Sequence, residues 1–204
     1  MRNILVHNYG YGKENSNRPS FRGRLNVAAA EVLKKRGGAD RFIVAGGKIF
    51  GDKFPPVGGV TGKELKRKLH LDEKTLTVAT TMEDPKLGTM QIKSSAREVA
   101  FYLQQIEPNN EAVSIASWVH TFSIRQHYQH QGISNPAVLS AEQILLSTPH
   151  AKRWAGIILK MYFSKEQLLL TDQEIVKNLI LLNHQGENWL RAKADNMAQK
   201  PKFD

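Results

Sequence analysis

The sequence predicts an α/β fold: a mainly parallel sheet covered on both faces by helices, a three-layer domain, followed by an all-helical extension. Three observations lead there: near-continuous apolar runs of strand length, helix-length segments between them, and the end of strand signals after about residue 139. Strands that are apolar along their whole length are buried on both faces, as in a parallel sheet between two helical layers.

"NILVHN" (3–8) is the first such strand, "RFIVAG" (41–46) and "AVSIAS" (112–117) follow, and "TLTVATT" (75–81) is a fourth of more alternating character. Between the first two, "RGRLNVAAAEVLKKRG" sets Leu25, Ala28, Ala29, Val32 and Leu33 at helical spacing, and Gly37-Gly38 supplies the stop. Later helix starts are expected at capping boxes, in which a hydroxyl covers the amide three residues on and a Glu or Gln there reaches back. The pairs are Thr61 with Glu64, Ser95 with Glu98, Ser140 with Gln143 and Thr171 with Glu174. Beyond residue 139, "AEQILL", "HAKRWAGIILKMYF", "EQLLL", "EIVKNLILLNHQ" and "ENWLRAKADNMAQK" read as helices joined by short loops. The expected division is an α/β domain over 1–138 and a helical extension packed on it over 139–204, with no linker composition between them.

A chain of 204 residues that is 41% hydrophobic can build a full core. The absence of cysteine excludes disulfides, thiolate nucleophiles and Cys-ligated zinc. The opening apolar segment runs straight into Asn8 and Gly10, too short for a signal-peptide core, and no stretch reaches the roughly 20 apolar residues of a membrane span. A soluble cytoplasmic protein is the expectation. A net charge of +10 admits nucleic acid or phosphorylated small molecules as partners. The basic residues are scattered, however, and no aromatics interleave with them as in a stacking platform. Lys63, Lys66, Arg67 and Lys68 fit a solvated helix face.

In an open parallel sheet, ligands bind outside the carboxyl ends of the strands, where loops converge and helix N-termini present amides. After the first strand come Gly10, Gly12 and Lys13, then Arg24; after the second, Gly46, Gly47 and Lys48. The alternating strand is followed by a long polar loop ending in Ser94 and Ser95, and the last strand by "SWVHTFSIR" with His120 and Arg125. Gly46 and Gly47 can bring bare backbone against a ligand, or simply form a turn. Neither glycine motif of nucleotide binding is complete: Asn15 stands where a dinucleotide fingerprint needs its third glycine, and Val57 where a P-loop needs its first. No cofactor is therefore assigned.

Glu98 has two roles open to it, proton transfer at the strand ends or capping of its own helix. His120 has a near-neutral pKa suited to proton transfer or phosphate contact, and Arg125 can bind an anion. His7, at the end of the first strand, either approaches the site or is a buried, hydrogen-bonded histidine. His120, His127 and His130 lack the i, i+4 spacing and the acidic neighbour of a zinc set. No Gly-x-Ser-x-Gly elbow surrounds Ser94, Ser95, Ser117 or Ser123, which argues against serine-hydrolase chemistry.

Taken in order, "RGRLNVAAAEVLKKRGGADRFIVAGG", the "KELKRKL" stretch, "SSAREVAFYLQQI" and "SIASWVHTFSIRQHYQHQG" resemble the YdcF-like (SanA-like) family of α/β domains over residues 3–132. The resemblance implies a Rossmann-like sheet with Arg24, Gly46, Gly47, Glu98 and His120 around one pocket. Ala45 stands where that family has Ser, Ala96 where it has Thr, Val99 where it has Asn, and Ser123 where its Arg follows the His. The function expected is a small-molecule enzyme, a hydrolase or group transferase, that recognises a phosphate- or nucleotide-like group. Gly46 and Gly47 would serve as backbone donors, Arg24 and Lys48 as charge, and Glu98 with His120 as the proton-transfer pair. The alternatives are a ligand-binding or interaction protein of the same fold, and a nucleic-acid binder whose affinity falls steeply with salt.

Overall fold

A computed structural model describes residues 1–8, 11–12, 15–49 and 51–162. The chain divides into two compact units, Met1–Thr148 and Pro149–Asp204. The first opens with β1 (Arg2–Val6), a short hairpin of β2 (Tyr11–Gly12) and β3 (Asn15–Pro19), α1 (Phe21–Lys35), β4 (Arg41–Ala45), α2 (Val57–Leu69) and β5 (Leu76–Ala79). A second hairpin, β6 (Thr81–Asp84) and β7 (Gly88–Gln91), leads to α3 (Ser95–Gln105), β8 (Glu111–Ala116), α4 (Trp118–His130), β9 (Val138–Ser140) and α5 (Ala141–Leu146). Within the second unit, α6 (Ala151–Tyr162) is described.

The five strands of the main sheet lie in the order β5-β4-β1-β8-β9, and every pairing is parallel. The chain builds outward from β1 through β4 to β5, then returns to the other side of β1 for β8 and β9. This is a Rossmann-like order, and its direction reverses between β1 and β8. All four strands expected from the sequence are present, and all are in this sheet. The alternation of "TLTVATT" reflects the edge position of β5, where Val78 is 43% exposed.

Alternate residues of each strand feed two cores. On one face Leu5, Ile43, Ala45 and Ala116 pack with Val99 and Tyr102 of α3, Ile124 and Tyr128 of α4, and Met82 and Ile92. On the other face α1 packs against β1 and β8, and α2 against β4 and β5, with α5 lying against α1. Ile4, Leu5, Ile43 and Ile115 are completely or almost completely buried, each contributing about 1.5–3 kcal/mol by area.

Helix starts follow the hydroxyl rule only in part. Ser20 caps α1 by accepting from the Gly23 amide, and Ser140 caps α5 by accepting from Gln143, as its box requires. The α3 cap is Ser94, not Ser95, and Glu98 does not reach back to it. Thr61 is no cap at all. It lies buried inside α2, which begins after Pro56 because the amides of Val57 and Gly58 find the carbonyls of Gly47 and Gly46 at 3.1 and 2.9 Å.

Two elements depart from the sequence expectation. The polar loop after β5 holds the β6–β7 hairpin, turned by Asp84, whose Oδ1 accepts from the Lys86 and Leu87 amides, and by Gly88 at φ 70°. From Val138, β9 adds the fifth strand, and the first compact unit extends to Thr148. A three-residue strand carries too little periodicity to be seen. Its place is set by pairing with β8 and by Arg125, whose Nη2 donates to Val138 O at 2.9 Å. Gly10, Lys13, the box at Thr171 and Glu174, and the helices expected from "EQLLL" onward lie outside the described residues. No helix among the described residues is long and apolar enough to cross a membrane.

Candidate functional site at the carboxyl edge

Because the strands are parallel, their carboxyl ends share one edge. His7 and Asn8 leave β1 there, Gly46 and Gly47 leave β4, and Ser117 leaves β8. The two chain segments at the β1–β8 reversal are joined by the His7 amide, which donates to Ile115 O at 3.0 Å. Asn26 of α1 closes over them, its Nδ2 donating to His7 O at 2.8 Å.

Beneath this edge runs a buried polar chain. His7 Nδ1 lies 2.9 Å from Glu98 Oε2, His7 Nε2 lies 3.3 Å from Ser114 Oγ, and Ser114 Oγ lies 2.8 Å from the Tyr128 hydroxyl. With the Glu98 carboxylate accepting, His7 donates from Nδ1, and the Ser114 and Tyr128 hydroxyls continue the chain from Nε2. Burial pushes the Tyr128 phenol well above its ordinary range, which keeps it a donor. Tyr102 stands edge-on to His7 at 5.0 Å, and its hydroxyl donates to Val6 O and accepts from the Ala45 amide. Burial, reinforced by the Glu98 charge, raises its pKa strongly as well.

Carboxylate, imidazole and hydroxyl stand here in the order of a nucleophilic triad. The hydroxyl, though, belongs to a strand serine only 2% exposed and held between core residues, so it is not placed to attack a substrate. The consequence of the chain is positional. Glu98 Oε1 accepts from Asn8 Nδ2 at 3.2 Å, and the same amide nitrogen donates to Ala45 O. Both neighbours are acceptors, so the Asn8 amide has one orientation and its Oδ1 is left over.

That oxygen has company. Asn8 Oδ1, Asn26 Oδ1 and Ser117 Oγ have no hydrogen-bond partner among the described residues, in side chains 7%, 1% and 1% exposed. An unpaired buried polar atom costs about 1–3 kcal/mol, and native folds hold few of them. A fourth, Asn3 Oδ1, lies at the opposite end of β1, where Nδ2 of the same residue donates to Glu111 O. Three of the four lie on one edge, where the strand order reverses, the place at which open parallel sheets generally hold ligands.

The residues singled out in the sequence divide sharply. Gly46 and Gly47 stand at the edge but do not offer their amides: these donate to Ala79 O at 2.9 Å and Ile92 O at 2.6 Å. Their bareness serves close packing, since a Cβ on Gly46 would come within 2.9 Å of Asn8 Nδ2 and one on Gly47 within 2.9 Å of Thr80 O. Glu98 belongs to the edge, with His7 and Asn8 as its partners. His120 stands in the first turn of α4, its amide donating to Ser117 O at 2.8 Å. Arg24 is exposed, its guanidinium 5.3 Å from the Phe21 ring. Lys48 pairs with exposed Asp52 at 3.7 Å, Ser95 is the first residue of α3, Gly12 sits in β2, and Arg125 is tied to β9.

Asn8, Asn26 and Glu142 were not singled out in the sequence, and Ser117 was weighed only as a serine nucleophile and set aside. A polar residue at 26, beside Leu25 and Ala29 on the inward side of α1, was the available signal for one of them. Glu142 offered none: its Oε2 accepts from the Trp118 amide and from Ser140 Oγ, both at 2.8 Å, which sets a carboxylate on the α4 N-terminus.

No family model matches the chain, and neither a curated protein nor a solved structure matches it significantly.

Proposed function

We propose that this protein is a small-molecule enzyme, a hydrolase or group transferase, whose ligand carries a phosphate- or nucleotide-like group and seats at the carboxyl edge between β1 and β8. The observation that carries it is the set of three unpartnered, buried polar atoms at the strand-order reversal. The resemblance of residues 3–132 to YdcF-like domains supports a pocket on the same edge. In this reading His120, at the start of α4, moves the proton, and Glu98 is a positioning residue that acts through His7 and Asn8. Positive charge for the anionic part comes from the exposed Arg24 and from the net charge of +10.

A second reading, binding without turnover, is favoured by one observation: both Glu98 oxygens are already engaged inside the fold. Thermal-shift screening of nucleotides and phosphoesters, followed by turnover assays on whatever binds, decides between them. Under the enzyme reading the His120→Asn variant keeps its affinity and loses turnover by at least about 100-fold. Ligand binding with no turnover by the native chain selects the second reading, and no binding by any compound removes both.

A further inference from the structure

The polarity of the unpartnered atoms narrows the ligand. We infer that the group held deepest in this site is a hydrogen-bond donor, the hydroxyls of a sugar or polyol portion, and not a phosphate. This rests on the proposed small-molecule site and specifies which end of the ligand enters it.

Asn8 Nδ2 faces two acceptors, Ala45 O and Glu98 Oε1, and Asn26 Nδ2 faces one, His7 O. Flipping either amide would set oxygen against oxygen, so both Oδ1 atoms are fixed as acceptors that need an incoming O–H or N–H. Ser117 Oγ can accept or donate, as a sugar hydroxyl can, so the three together match a cluster of hydroxyls. The local charge points the same way. Glu98 touches Asn8, and Glu142 occupies the α4 N-terminus next to Ser117, where its carboxylate already answers the helix dipole. A phosphate at this depth would meet two acceptor oxygens and two buried carboxylates. The anionic part of the ligand is therefore left outside these buried groups, where positive charge such as that of exposed Arg24 in the first turn of α1 is available.

The test is a titration of the full, isotope-labelled chain with D-ribose, adenosine and inorganic phosphate, following the side-chain amide signals of Asn8 and Asn26 by NMR. Ribose or adenosine shifts both amides and phosphate leaves them in place. Ser117→Ala, which removes a hydroxyl with no internal partner, weakens that binding about tenfold, one hydrogen bond's worth, without lowering the melting temperature. Phosphate alone shifting the two amides would keep the small-molecule site and overturn the donor assignment. If no compound shifts them, the donor assignment falls; if the nucleotide and phosphoester screen is also blank, the site falls with it.

Discussion

At the scale of single residues, the polar groups under the carboxyl edge are held by shared partners. The Tyr102 hydroxyl closes two backbone groups at once, Val6 O on β1 and the Ala45 amide on β4, at 2.9 and 3.1 Å. Tyr102→Phe keeps the ring against His7 and removes only the oxygen. It is expected to destabilise the fold by about 2–6 kcal/mol, the cost of two buried backbone groups left unpaired, read from denaturant midpoints at unchanged m. A change within error would mean that those groups find other partners. Glu98 illustrates how far residue type can be read. Its nearness to the strand ends was legible, yet the serine three residues before it pointed to capping, and only the packing of α3 on the sheet turns it toward His7 and Asn8.

Among the elements, the join between β4 and α2 decides what the glycine pair does. Gly46 and Gly47 accept the first amides of α2 on their carbonyls, and Gly58 is the reciprocal surface. A Cβ built on Gly58 lies 2.7 Å from Gly46 N and 2.9 Å from Ala79 O, all rigid backbone. Gly58→Ala is therefore expected to cost about 1–3 kcal/mol by overpacking, measured as a fall in thermal midpoint. Gly59→Ala, with open space around it, is the control and should hold or gain stability. Equal behaviour of the two variants would contradict this packing. The glycines were visible in the sequence as a place where side chains are excluded. What excludes them is the start of α2 with Asn8 at Gly46, and Thr80 with Gln91 and Ile92 at Gly47, which requires knowing which segments lie opposite.

For the whole molecule, stability should fall on mild acidification through His127. Burial lowers its pKa first of all, and the charges of His130 and His7 lower it further. A depressed histidine binds fewer protons in the folded chain than the value of 6.5 dictates for the unfolded one. Its contribution is thus fully present above about pH 6.5 and is lost as pH drops from there toward the folded pKa. Melting temperatures across that window should decline, and His127→Gln should flatten the decline. An unchanged slope in the variant would assign the acid sensitivity to another group.

By itself the sequence determined the class of fold, the four main-sheet strands it marked and the first helix with its glycine stop. These follow from apolar periodicity and chain direction, which are local properties. The tertiary structure alone decided the strand order with its reversal between β1 and β8, the short strand β9, the β6–β7 hairpin and the partners of every polar side chain. Hydrogen-bond satisfaction is a property of pairs distant in the chain, such as Asn8 with Glu98 or Trp118 with Glu142. Which polar atoms remain unmatched is decided only once those pairs have formed.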